Sequence, residues 1–317
     1  MYSPRYHIDI GLHVFPTRKY HLVREAIGDR FPRNESQKNL RSRVPRWIEP
    51  EAATWEQLGL VHTSEYLSKV REGTLSREEL AQLELPWSPE IIDGFRLMVG
   101  GTIAAALSAT NPESNPESQI PNPIACHLGG GLHHAFASHG EGFCLFNDVA
   151  IAVRALQARG ITRVAIVDLD VHHGNGTAFI FESDPRVFTF SMHQRHNYPV
   201  FKPRSTLDIG LEDGAHDETY LRALEGALPK VLASEPQCVF YLAGADPYED
   251  DLLGGLRLTK DGLRRRDRMV IESVRRAGLP LVITLAGGYA RNVDDTVAIH
   301  VATLEEAAAF DHEGSNA

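Results

Sequence analysis

Four short, uninterrupted apolar runs, each leading into glycines or into residues fit for chemistry, constrain this chain more than any other feature. Ile124-Ala-Cys126 leads into Gly129-Gly-Gly-Leu-His133-His134, and Val164-Ala-Ile-Val167 into Asp168-Leu-Asp170-Val-His172. Val239-Phe-Tyr-Leu242 leads into Gly244-Ala-Asp246, and Leu281-Val-Ile-Thr-Leu285 into Gly287-Gly288-Tyr289. Runs of this length, separated by helical patterns, predict strands of a parallel sheet covered by helices on both faces, an α/β fold. Ligands in such sheets bind beyond the carboxyl ends of the strands, so the four tips are expected around one crevice.

The second tip points to a metal. Alternation along extended backbone sends Asp168, Asp170 and His172 the same way, so that Asp170 and His172 can reach one ion while Asp168 supports from behind. Asp246 supplies a third ligand. A bare DxDxH reads equally well as an acidic loop capping the next helix; the other three tips favour the site. A catalytic zinc keeps three protein ligands, leaves room for water and lowers that water's pKa toward about 7. Two carboxylates with one imidazole suit Fe(II) nearly as well, which leaves the metal open. His133 and His134, behind a triple glycine, are candidates to take the water's proton and pass it to a leaving amine. The Tyr289 hydroxyl can polarise a carbonyl opposite the metal. Phe143 and Tyr198 are candidate aromatic walls of a channel, with core packing as the alternative. His173 should face away and pack, and His7, His21, His139, His216, His300 and His312 read as surface or core histidines.

The 317 residues show no break between halves and are expected to form one catalytic domain over 1–310 with a polar tail over 311–317. A hydrophobic share of 43% supports a sizeable core, and the longest apolar stretches are expected to be too short to span a bilayer. The amino-terminal lead lacks the layout of a secretory signal, and three scattered cysteines suggest reduced thiols, so a soluble cytoplasmic protein is expected. A net charge of -10 argues against a nucleic-acid footprint and weakly favours cationic substrates. Helices are expected from about Lys19 to Asp29, from Thr63-Ser64, from Pro89 to about Ala109, from Asp217 to Ser234, and from Thr259 to Ala277 with Gly278 as its stop. Asp148 reads as the cap of the helix that follows it. Loops are expected through Phe31-Pro32, Arg41-Ser-Arg43 and Pro45, near the cleft mouth, and over the doubled NPES tetrad of Asn111 to Ser118.

In chain order, Gly129-Gly-Gly-Leu-His-His-Ala135, Gly142-Phe-Cys144, Asn147-Asp148, Asp168-Leu-Asp-Val-His-His-Gly-Asn-Gly-Thr177, Gly244-Ala-Asp246 and Gly287-Gly-Tyr289 resemble the zinc-dependent histone deacetylase family, over roughly residues 5 to 305. Tyr198-Pro199, Asp208-Ile-Gly210, Leu253-Gly-Gly-Leu256 and Arg264-Arg-Arg-Asp267 are most similar to class IV members and their bacterial relatives. The resemblance implies an arginase/deacetylase-type fold with zinc on Asp170, His172 and Asp246. It implies His134 as general acid/base, His133 as its electrostatic partner backed by Asp168, and Tyr289 as carbonyl polariser. It further implies a structural potassium held near Asp168 by backbone oxygens of Asp170 and His172, the Ser191 hydroxyl and the Met192 carbonyl. Gly142 would accept from the substrate amide, and Gly287 would line the channel. Asn175 stands where class I enzymes place an Asp behind the second histidine; a neutral amide orients His134 without stabilising its cation as a carboxylate would. The acidic rim residue of class I enzymes is also missing, the region near Pro86-Trp-Ser-Pro89 being built differently.

The expected activity is metal-dependent hydrolysis of N-epsilon-acyl-lysine in a peptide or protein. Its rivals are a small acylated amine such as an acetylpolyamine as substrate, and a non-catalytic acyl-lysine reader. An arginase-like ureohydrolase would need further Asp and His ligands for a second metal. Acyl length, oligomeric state and native metal are not legible in the chain.

Overall fold

β-branched and aromatic residues favour extended backbone, and all four apolar runs form strands that pair in parallel. The computed structural model describes residues 1–30, 47–111 and 123–313. The loops expected through Phe31-Pro32, Arg41-Ser-Arg43 and Pro45, and the NPES run from position 112 on, lie outside the described residues. So do 314–317 and the side chain of His312.

In chain order the elements are α1 (Lys19–Arg30), α2 (Trp55–Leu58), α3 (Ser64–Glu72), α4 (Arg77–Leu83), α5 (Pro89–Thr110), β1 (Ile124–His127), α6 (Asp148–Gln157), β2 (Val164–Asp168) and α7 (Asn175–Phe181). They continue with β3 (Val187–Gln194), β4 (Leu207–Leu211), α8 (Asp217–Leu232), β5 (Cys238–Leu242), α9 (Lys260–Arg276), β6 (Leu281–Thr284) and α10 (Val293–Glu313). The six strands form one parallel sheet in the order β1-β6-β5-β2-β3-β4. From β2 the chain builds outward through β3 and β4, then returns to place β5 on the other side of β2 and β6 beyond it. The strand order therefore reverses between β2 and β5, and a crevice opens there at the carboxyl edge. Asp168 ends β2, and Gly244-Ala-Asp246 follows β5.

Both sheet faces are covered. Val164, Ile166, Phe240 and Val282 pack with Phe95, Val99 and Ile151 of α5 and α6, whereas Ala165, Val167, Val239, Tyr241 and Ile283 pack with Leu224, Val270 and Ile299 of α8, α9 and α10. Each large apolar side chain buried in this way contributes about 1.5 to 3 kcal/mol. β3 and β4 are additions to the four expected strands. β3 interleaves Thr189, Ser191 and His193 with its apolar residues, and β4 is a five-residue edge strand carrying Asp208 and Gly210, so neither presents an apolar run.

Two helical expectations are corrected. Ser88 caps α5 by accepting from Ile91 N, with Pro89 in the first turn, and the helix is long and apolar enough to cross a membrane, contrary to the expectation that no stretch is. It is a core helix in this protein, for 72% of its most apolar window is buried inside the molecule. The cap of α6 is Asn147, whose Oδ1 accepts from Ala150 N at 2.9 Å, and not Asp148. Two adjacent cap-forming residues made the choice ambiguous; the structure gives Asp148 another task.

Candidate metal centre and active site

The tips of β1, β2 and β6 line one pocket with His133, His134, Asp170, His172, Gly287 and Tyr289, and β5, between β6 and β2, brings Asp246 up against Asp170 and His172. Asp168, Asp170, His172 and Asp246 are all buried, as are His133 and His134. Asp170, His172 and Asp246 bring one ligand-type atom each to within 4.8 Å of one another. His172 Nδ1 lies 2.9 Å from Asp170 Oδ1 and 3.5 Å from Asp246 Oδ2.

Backbone amides aim the two carboxylates. Asp170 Oδ2 accepts from Gly287 N at 2.9 Å, and Asp246 Oδ1 accepts from Val171 N at 2.8 Å, which ties the loops after β2, β5 and β6 together. Among the described residues, Asp246 Oδ2 is left buried with no hydrogen-bond partner. A buried carboxylate oxygen without a donor is costly, and a cation at this point removes the cost. Burial, then the charge of Asp170, pushes the Asp246 carboxyl up, and the same two acids raise His172 against the effect of its burial. Both shifts describe a pocket short of positive charge, and the donor set fits a single divalent ion. Gly287 leaves the room: a β-carbon there would stand 1.9 Å from Asp246 Oδ2 and 2.4 Å from Asp170 Oδ2.

Across the pocket, His133 Nε2 and His134 Nε2 lie 3.1 Å apart. His133 Nδ1 donates to Asp168 Oδ2 at 2.6 Å, and His134 Nδ1 lies 2.8 Å from Asn175 Oδ1. Burial pulls the His133 pKa down, but the charges of Asp168 and Asp170 and the bond to Asp168 outweigh it and bring it to about 9. Burial, joined by the charges of His133 and His172, holds His134 well below the ordinary histidine value. The surroundings thus push the two rings apart, the Asp168 carboxylate favouring a protonated His133 and burial a neutral His134.

The half-buried Tyr289 faces His172 at a ring distance of 6.5 Å, and burial, with the charges of Asp170 and Asp246, keeps its hydroxyl protonated. Phe143 stands 6.1 Å from Tyr289, and Tyr198 stands 5.0 Å from His134 with Gly142 against both, a β-carbon there falling 2.9 Å from either ring. On the other side of β2, Ser191 is in register with Asp168, and Met192 follows it, buried. His173 faces away as expected, and it also pairs with Asp208 at 3.2 Å.

Several neighbours play parts at the site that the sequence did not assign them. Asp148 accepts from Gly131 N at 3.0 Å and Leu132 N at 2.7 Å, so it shapes the turn that presents the two histidines. Asp251 accepts from Tyr289 N at 2.7 Å. Phe15 stacks on Phe143, and the wholly buried Lys19 donates to the Ala286 carbonyl at 2.7 Å while lying 5.6 Å from the Tyr289 ring. Burial lowers the Lys19 pKa, against the pull of Asp246, Asp170 and Asp251. Each of these depends on contacts between segments far apart in the chain.

Residues 13–304 match the model of the histone deacetylase domain. An uncharacterized protein of Picosynechococcus sp. is 41% identical over 293 residues, covering 91% of this chain and 90% of its own length. Histone deacetylase 2 of Arabidopsis thaliana is 32% identical over 268 residues, covering 81% and 67%. Among solved structures, the HD domain of HDA15 aligns with a TM-score of 0.74 at 25% identity over 99% of this chain and 92% of its own. An HDAC homolog complexed with SAHA aligns with a TM-score of 0.73 at 23% identity over 94% and 80%, a likeness of fold.

Proposed function

The chain belongs to the histone deacetylase family, and from that premise we propose that it hydrolyses the amide of N-epsilon-acyl-lysine, releasing a carboxylate and the free amine. One observation carries the reading: a buried acid–imidazole–acid cluster with an unpartnered carboxylate oxygen faces two histidine Nε2 atoms across a pocket walled by Tyr289. Asp170, His172 and Asp246 would hold a divalent cation, zinc or Fe(II), which when bound supplies Lewis acidity and a source of nucleophile at neutral pH. Asp168, Ser191 and Met192, with backbone oxygens of Asp170 and His172, would hold a structural potassium.

The side chains divide the remaining work. His134, neutral in its buried position, accepts the proton of the attacking water at Nε2 and returns it to the leaving nitrogen. His133, anchored on Asp168, whose carboxylate favours its protonated form, orients the water and stabilises developing negative charge. The protonated Tyr289 hydroxyl donates to the carbonyl oxygen as it becomes an oxyanion. Asn175 orients His134, and Gly142, Phe143, Tyr198 and Gly287 form the channel for the acyl-lysine stem.

Exposed apolar side chains favour a peptide or protein substrate over a small amine. Leu12, Val200 and Phe201 are largely exposed and Leu252 about half exposed, and each lies within three residues in sequence of a residue that walls or holds the channel: Phe15, Tyr198 or Asp251. If they ring the channel, these side chains would give the flanks of a peptide an apolar surface to rest on. The test is a panel of lysine peptides bearing acetyl to long fatty acyl groups, with acetylpolyamines alongside, assayed on purified protein with zinc restored. Carboxylate release from the peptides is expected. Turnover of acetylpolyamines alone would move the substrate to small amines, and no turnover of any member would leave the acyl-lysine reader.

A further inference from the structure

We propose that Glu141 is the third member of a hydrogen-bonded relay, Glu141–Asn175–His134, in which its carboxylate fixes the His134 tautomer that leaves Nε2 free to act as base. The inference rests on the reading of His134 as the general base and extends it to a residue that touches neither substrate nor metal ligands.

Asn175 opens α7 and is wholly buried. Its Nδ2 donates to Glu141 Oε1 at 2.6 Å, and its Oδ1 faces His134 Nδ1 at 2.8 Å. An amide can sit either way round, but an ionised carboxylate only accepts. Glu141 therefore requires the Asn175 nitrogen on its own side, which turns the amide oxygen to His134. That oxygen in turn requires a proton on Nδ1. Nε2 is left with its lone pair, pointing at His133 Nε2 and the pocket. Without an acceptor at position 141 the amide is free to rotate, donate to Nδ1 and place the imidazole proton on Nε2, where the base would be lost.

Glu141 is held for this task. Gln82 of α4 donates to Oε2 at 2.8 Å, and Tyr198 Oη donates to Oε1 at 3.1 Å. The backbone is fixed by Glu141 N to Cys144 O at 3.2 Å and Cys144 N to Glu141 O at 2.9 Å. Burial works to raise the carboxyl, but bonds from His139, Gln82, Asn175 and Tyr198 outweigh it, so the group stays ionised. The same oxygen thus orients the base and tethers a channel wall.

The test combines ring-nitrogen NMR of histidine-labelled protein with an exchange of the two residues. In wild type the His134 proton should reside on Nδ1, and in Glu141→Gln a second tautomer should appear with kcat lowered about 10-fold and KM little changed. Asn175→Asp alone sets two carboxylates face to face and should be the poorer variant. Adding Glu141→Gln to it restores a donor opposite an acceptor, and should return kcat to within a few-fold of wild type with the proton on Nδ1, where either carboxylate variant keeps it. The relay is overturned if wild type carries the proton on Nε2, or if the double variant is no better than Asn175→Asp. The NMR readout needs no turnover, so a wild-type protein inactive on every acyl-amine would sink the proposed function while the tautomer still decides the relay.

Discussion

Tyr289 and His62 show how single side chains set chemistry and stability. Tyr289 is held through its backbone by Asp251, so Tyr289→Phe should keep the fold and lose only the hydroxyl. The barrier should rise by about 2 to 4 kcal/mol, the cost of removing one oxyanion donor, read as kcat on an acyl-lysine peptide; unchanged turnover would remove Tyr289 from the reaction. His62 accepts from Asn147 N at 3.1 Å, beneath the cap of α6. Burial lowers its pKa from 6.5 to about 4. Because the folded value is the lower one, the unfolded chain takes up a proton first as pH falls; the contribution of neutral His62 is complete above 6.5 and is lost on the way down to about 4. Over that window wild type should lose up to about 3 kcal/mol that His62→Gln does not lose, measured by urea unfolding at a series of pH values. Parallel stability curves would contradict the assignment. At this scale the sequence was informative where chemistry is local: the DxDxH spacing gathers Asp170 and His172, although the strand ends at Asp168 and the backbone bends over 170–172 instead of alternating as an extended segment. Asp148, Lys19, Asp251 and Glu141 were opaque because their partners lie 16 to 267 positions away.

Among elements, α9 does more than cover a sheet face. Arg266, wholly buried, donates to the carbonyls of Gly244 at 2.6 Å and Leu169 at 3.4 Å, one from each loop that carries a carboxylate of the proposed metal centre. Asp267 accepts from Arg266 Nε and from Tyr241 and Thr303, so α9, α10 and β5 share one buried polar network. Arg266→Met should leave Asp267 buried without its cation and cost about 3 to 5 kcal/mol of stability, and zinc affinity should fall about 10-fold as the loops loosen. Equal zinc affinity in the folded variant would show that α9 does not brace the site. Strands were legible where the sheet is central and apolar on both faces, as in β2 and β5. β3 was not, because its buried Ser191 and His193 are polar, and α5, expected as a helix, carries a longer apolar stretch than was expected of any segment.

For the whole molecule, the reversal of strand order between β2 and β5 explains why chemistry from four distant segments converges. The apolar runs predicted the sheet and the edge at which the tips meet; the strand order itself depends on crossovers that leave no mark in composition. The account stands on a single cation at Asp170, His172 and Asp246. The direct test is titration of metal-stripped protein with zinc, following bound metal and acyl-lysine hydrolysis together. Activity should rise in proportion to bound zinc and saturate at one equivalent per chain at this site, with Asp246→Ala gaining neither. Turnover that is independent of zinc, or that survives in Asp246→Ala, would contradict it.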